Sequence, residues 1–93
     1  MKIVSKRKIE DCADGSEIYA YEFDAPWSEP SIRSLAALGK LDYFTDFPRP
    51  MFHARSRSGL DMKGIEGETA CRVRLPKAEK DAARREFEAF FKT

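Results

Sequence analysis

Apolar and polar residues alternate through three short runs in the second half of the chain: Met51 to Ser56, Leu60 to Ile65 and Thr69 to Leu75. Arg57-Ser58-Gly59 and Glu66-Gly67-Glu68 separate them, and short alternating runs broken by turn residues predict an antiparallel meander. One parity carries Phe52, Ala54, Ser56, Leu60, Met62, Thr69, Cys71, Val73 and Leu75. The other carries Met51, His53, Arg55, Arg57, Asp61, Lys63, Ile65, Ala70, Arg72 and Arg74. Successive side chains of a strand point to opposite faces, so the meander should have one apolar face and one basic face with few acids.

Upstream, Ile3 to Ile9 alternates loosely, and its lysines suit a strand near a sheet edge. Asp14-Gly15, inside Asp11 to Ser16, adopts positive φ at little cost and predicts a hairpin into Glu17 to Asp24. There Tyr19, Tyr21 and Phe23 should face the core, because the opposite choice would bury Glu22 without an evident partner. Ser28-Glu29-Pro30 reads as a helix start, capped by Ser28 or Ser31 and tolerant of proline in its first turn. Ile32, Leu35 and Ala36 share one face of this short helix, Leu38 lies beside them, and Gly39 is expected as the left-handed residue that ends it. From Lys40 to Pro50 no regular period is evident. Pro48 and Pro50 exclude a helix and a central strand there, and the segment is expected to be an ordered aromatic loop. Pro76 ends the last strand, and Ala83, Phe87, Phe90 and Phe91 repeat at helical spacing within a helix expected over Lys77 to Lys92.

Two strands, a helix, three strands and a helix, each with one apolar side, combine most simply as a two-layer α+β sandwich. Its mainly antiparallel sheet would have about five strands in the order ββαβββα, with both helices on one face. The order of strands in the sheet is left open by the pattern.

A chain of 93 residues supports one core, so the whole is read as a single domain. Its hydrophobic fraction of 42% and charged fraction of 35% are globular values, and a net charge of +1 selects no partner by itself. No run approaches the roughly 20 apolar residues of a membrane span, and the charged start does not resemble a signal peptide. A soluble, cytoplasmic protein with no membrane partner is expected. Cys12 and Cys71 lack framework spacing and are read as reduced thiols.

Candidate chemistry is sparse. His53 is the only histidine, and its parity turns it away from Cys71, which argues against a cysteine-histidine dyad. Cys12, Cys71 and His53 form no paired zinc motif, and Gly64-Ile65-Glu66-Gly67 resembles a backbone-clamping glycine loop only superficially, since it lies between strands and carries an acid. Neither a catalytic residue nor a metal or cofactor is expected, and a binding role is favoured over an enzymatic one. Two surfaces suggest themselves. The first is the aromatic and proline loop 41 to 51 with Trp27, where Tyr43, Phe47, Arg49 and Met51 are residue types that anchor a protein partner or a homodimer, together with an exposed sheet face or edge. The second, the alternative, is the strand face of His53, Arg55, Arg57, Lys63, Arg72 and Arg74, which suits single-stranded nucleic acid or another polyanion but shows no row of exposed aromatics.

Overall fold

The computed structural model describes residues 1–91. Its strands are β1 Ile3–Asp11, β2 Glu17–Phe23, β3 Gly39–Phe44, β4 Met51–Ser56, β5 Asp61–Ile65 and β6 Ala70–Leu75; the helices are α1 Glu29–Ser34, extended by a 3-10 turn Leu35–Ala37, and α2 Lys80–Phe90. The α+β class and the order ββαβββα hold, with β3 as a sixth strand. All six form one sheet in the order β1-β2-β6-β5-β4-β3, with every neighbouring pair antiparallel. The N-terminal hairpin joins the meander through β2 and β6, where Tyr21 faces Cys71 and Tyr19 faces Val73.

The alternation of β6 shows directly in its burial, with Cys71, Val73 and Leu75 inside and Arg72 and Arg74 outside. Tyr21 and Phe23 of β2, Phe52 and Ala54 of β4, and Met62 of β5 turn to the same side. They meet Ile32 and Leu35 from the first helical segment and Ala83, Phe87 and Phe91 from the second in one core. Aromatic rings dominate that core. Trp27 lies 4.8 Å from Phe52 and 5.1 Å from Phe23, and Phe91 lies 4.9 Å from Phe23 and 5.0 Å from Phe87, all inclined to one another as ring quadrupoles favour.

Three expectations are corrected. Trp27 is a core residue, 1% exposed, and its indole N–H donates to the Ala70 carbonyl at 3.1 Å, so it offers nothing to a surface. Gly39 does not end the helix in a left-handed conformation; positive φ among the glycines occurs at Gly15, Gly59 and Gly67. It opens β3, where any Cβ would collide with the Arg55 carbonyl oxygen of β4, so glycine is required for close strand approach. Lys40 to Pro50 is not one loop, because β3 occupies its first half and pairs with β4 from Gly39↔Ser56 to Phe44↔Met51. The first helix has the predicted cap: Ser28 accepts from the Ser31 N–H, and Ser31 returns a bond to the Ser28 backbone. Helix α2 begins at Lys80, three residues later than expected; its expected end at Lys92 lies outside the described residues.

Candidate functional site

With the helices and core on one side, the other side of the sheet is uncovered. Residues paired across neighbouring strands share a face, so the registers place its side chains in rows running across the strands. One row runs Arg7, Ala20, Arg72, Lys63, His53, Asp42 from β1 to β3. Beside it lie Ala70 of β6, Ile65 of β5, Met51 of β4 and Phe44 of β3, with Phe44 directly opposite Met51 and Met51 opposite Ile65. On the other flank Ile18, Arg74, Asp61, Arg55 and Lys40 form a mixed row.

The five cations expected to form one patch divide into different environments. Arg74 is held by Asp14 at 2.6 Å and by the Ser16 hydroxyl at 3.1 Å. The Ser16 hydrogen bonds, with Arg74 adding to them, bring the Asp14 carboxyl down to about 2, so Asp14 stays ionised throughout the neutral range. Arg55 lies 3.5 Å from Asp61, which also takes the His53 ring nitrogen. Arg57 stands in the turn after β4, off the rows. Lys63 and Arg72 remain. They face each other directly across β5 and β6, are exposed, and among the described residues neither has a carboxylate partner. Arg7, also exposed and unpaired among the described residues, continues their row beyond Ala20.

Depressions flank the Lys63–Arg72 pair on both sides. The larger, about 320 Å³, has a floor of small or aliphatic residues including Ala20, Ala70 and Ile65, and a rim that includes Arg7, Lys63 and Arg72; its lining acid, Glu68, is engaged by Arg49. The smaller, about 230 Å³, lies toward Ile18, Asp61 and Arg74. Larger hollows of about 410 and 420 Å³ occur on the helix side. In the first, the Glu88 carboxylate is already engaged by Lys6 and Tyr21; in the second, no described lining residue carries a charged side chain.

The residues expected to make a contact loop behave differently. Tyr43 is a strand residue whose hydroxyl donates to Glu66 and whose ring lies 5.2 Å from the Arg33 guanidinium. The Glu66 hydrogen bond, with burial adding to it, raises its phenol to about 12. Arg49 pairs with Glu68 at 3.3 Å. Phe47 and Met51 are exposed, as is Phe44, which the sequence pattern did not single out. His53 is on the open face and Cys71 is on the core face, where burial first and Glu22 second push the thiol up, away from the nucleophilic thiolate. Among the described residues no three His, Cys, Asp or Glu side chains lie together as a metal site, and no helix is long and apolar enough to cross a membrane.

Arg7 of β1 and Lys40, Asp42 and Phe44 of β3 are the members of this face that pattern reading missed. Arg7 was hidden because β1 carries an extra residue at Val4 and another at Ile9, each shifting the register against β2 and breaking the alternation. Phe44 was hidden by the prolines after it, although Lys40-Leu41-Asp42-Tyr43 does alternate polar with apolar. Comparison with protein-family models, with curated proteins and with solved structures finds no match to this chain.

Proposed function

We propose that this chain is a small binding module that takes a polyanion on the open face of its sheet. The observation that carries the reading is the Lys63–Arg72 pair. Like charges directly opposite on neighbouring strands destabilise a sheet, and no carboxylate among the described residues neutralises these two. An anionic ligand would supply the missing counter-charge, and Arg7 extends the attraction along the same row. The β1 edge is less suited to pairing with another strand, because its two register shifts and its basic side chains blunt it.

Fluorescence anisotropy at low salt, with a labelled oligothymidylate and with linear polyphosphate as competitor, tests this proposal. Binding should weaken as salt rises, and Lys63→Ala with Arg72→Ala together should abolish it. Arg57→Ala, a cation outside the row, should leave it nearly unchanged. Absence of binding at low salt, or equal loss from the Arg57 and Arg72 variants, would overturn the reading.

Self-association is the second reading, supported by one specific feature. Phe44, Phe47 and Met51 are exposed together at the end of the β3–β4 hairpin. It requires a sedimentation mass above 10.7 kDa that falls to the monomer value in Phe47→Ala; a monomer at high concentration removes it.

A further inference from the structure

We infer that the polyanion is single-stranded nucleic acid, lying across the strands with phosphates on the Arg7–Arg72–Lys63 row and bases on the apolar row beside it. This inference rests on the polyanion reading and adds the ligand's chemistry.

The two rows differ in kind. The first holds three cations without carboxylate partners among the described residues. The second holds Ala70, Ile65, Met51 and Phe44, with Met51 43% and Phe44 46% exposed. A ligand that matches both has charge along one edge and flat apolar surface along the other. Inorganic polyphosphate and sulfated glycans carry charge without that apolar side, so they would leave the second row uncovered. A duplex keeps its base faces stacked on one another, whereas an unpaired strand exposes them. Phe44 supplies the exposed ring on which a base can stack, and the depression over Ala20 and Ala70 leaves room for one beside the cations.

Charge also limits the footprint. Asp42 ends the basic row at β3, and Glu22, which accepts from the Thr69 hydroxyl, lies beside Ala70 toward β1. Strands are spaced about 4.8 Å apart, so Arg7 to Lys63, three strand intervals, spans about 14 Å. Only a few phosphates fit. With three neutralised phosphates on a single strand, log K should fall with log salt at a slope of about −2.

Anisotropy titrations with an oligothymidylate of about 10 nucleotides, the same sequence in a duplex, and linear polyphosphate test the inference. The single strand should bind at least tenfold more tightly than the other two. Phe44→Ala should weaken the single strand about tenfold and leave polyphosphate unchanged, with circular dichroism confirming that this surface variant stays folded. If polyphosphate binds as tightly as the oligonucleotide and Phe44→Ala changes neither, the nucleic-acid inference is overturned while the polyanion reading stands. Preference for the duplex has the same consequence. If nothing binds at low salt, both fall.

Discussion

The Tyr21 hydroxyl, on β2, donates to Glu88 of α2 across 2.9 Å, joining residues 67 positions apart. The ring lies 4.8 Å from Phe87 and is fully buried, so this one side chain meets α2 both through its apolar body and through its polar tip. Tyr21→Phe keeps the ring and removes the donor. It should cost about 1.5 kcal/mol in urea unfolding, the lower end for a bond to a charged group, because Lys6 still satisfies Glu88 at 2.8 Å. An unchanged midpoint would show that the bond contributes nothing net.

Acid should destabilise the fold through the carboxylates of its N-terminal hairpin and α2. Burial opposes ionisation of Glu88, but hydrogen bonds from Lys6 and Tyr21 outweigh it and hold the carboxyl below its ordinary 4.5. Glu17 is likewise lowered, by Lys80 first and Lys8 with it, and Asp14 falls from 3.8 to about 2. A depressed carboxyl contributes stability that is complete above its unfolded-state value and disappears as pH falls through its folded-state value. Thermal midpoints should therefore hold near neutrality and decline from about pH 4.5 toward about pH 2. Glu88→Gln should shallow that decline; an equally steep curve in the variant would remove Glu88 from the account.

Lys63→Glu should make the free protein more stable and a poorer binder. Replacing the like-charge pair across β5 and β6 by a carboxylate opposite Arg72 is worth about 0.5 kcal/mol, or roughly 2–4 °C in melting temperature for a domain of this size. Loss of the polyanion in the same variant completes the expectation, since binding sites commonly sacrifice stability. A variant that melts lower than the parent would show that the opposed cations do not strain the sheet.

Gly64 sits opposite Phe52 on the core face, and a Cβ there would run into the Phe52 ring. Phe52 is 2% exposed and packs against Trp27, so it has little room to retreat. Gly64→Ala should cost about 1–3 kcal/mol by overpacking. Gly67, whose added Cβ would meet nothing within 4 Å, separates this effect from backbone strain, because its φ of +92° penalises alanine without any collision. A neutral Gly64→Ala would mean that the ring is mobile.

Glu79 is the non-glycine residue with positive φ among those described, at 59°, and it precedes α2 without a side-chain cap bond. The left-handed conformation costs an ordinary side chain about 1–2 kcal/mol. Glu79→Asn, which tolerates that conformation and caps well, should raise the melting temperature by several degrees; a drop would show that the acidic charge at the helix start outweighs the relief.

Within the C-terminal half, the order of amino acids was enough to fix which side of β4, β5 and β6 is apolar. Strand pleating alternates side-chain directions whatever the neighbours are, so Phe52, Met62 and Val73 had to share one face and Arg55, Lys63 and Arg72 the other. The Ser28 cap and the Phe87 stripe were legible for the same local reason. Folding settled everything that depends on a partner distant along the chain. Residues 39 to 44 became a strand by hydrogen bonding to β4, and Trp27 went inside because Phe23, Phe52 and Phe91 surround it. Arg7 joined the basic row because two extra residues shifted the register of β1. The separation of paired from unpaired cations has the same origin, since a charge is neutralised by whatever the chain brings within a few ångströms: Asp14 reaches Arg74 across 60 positions, and no described carboxylate reaches Lys63 or Arg72.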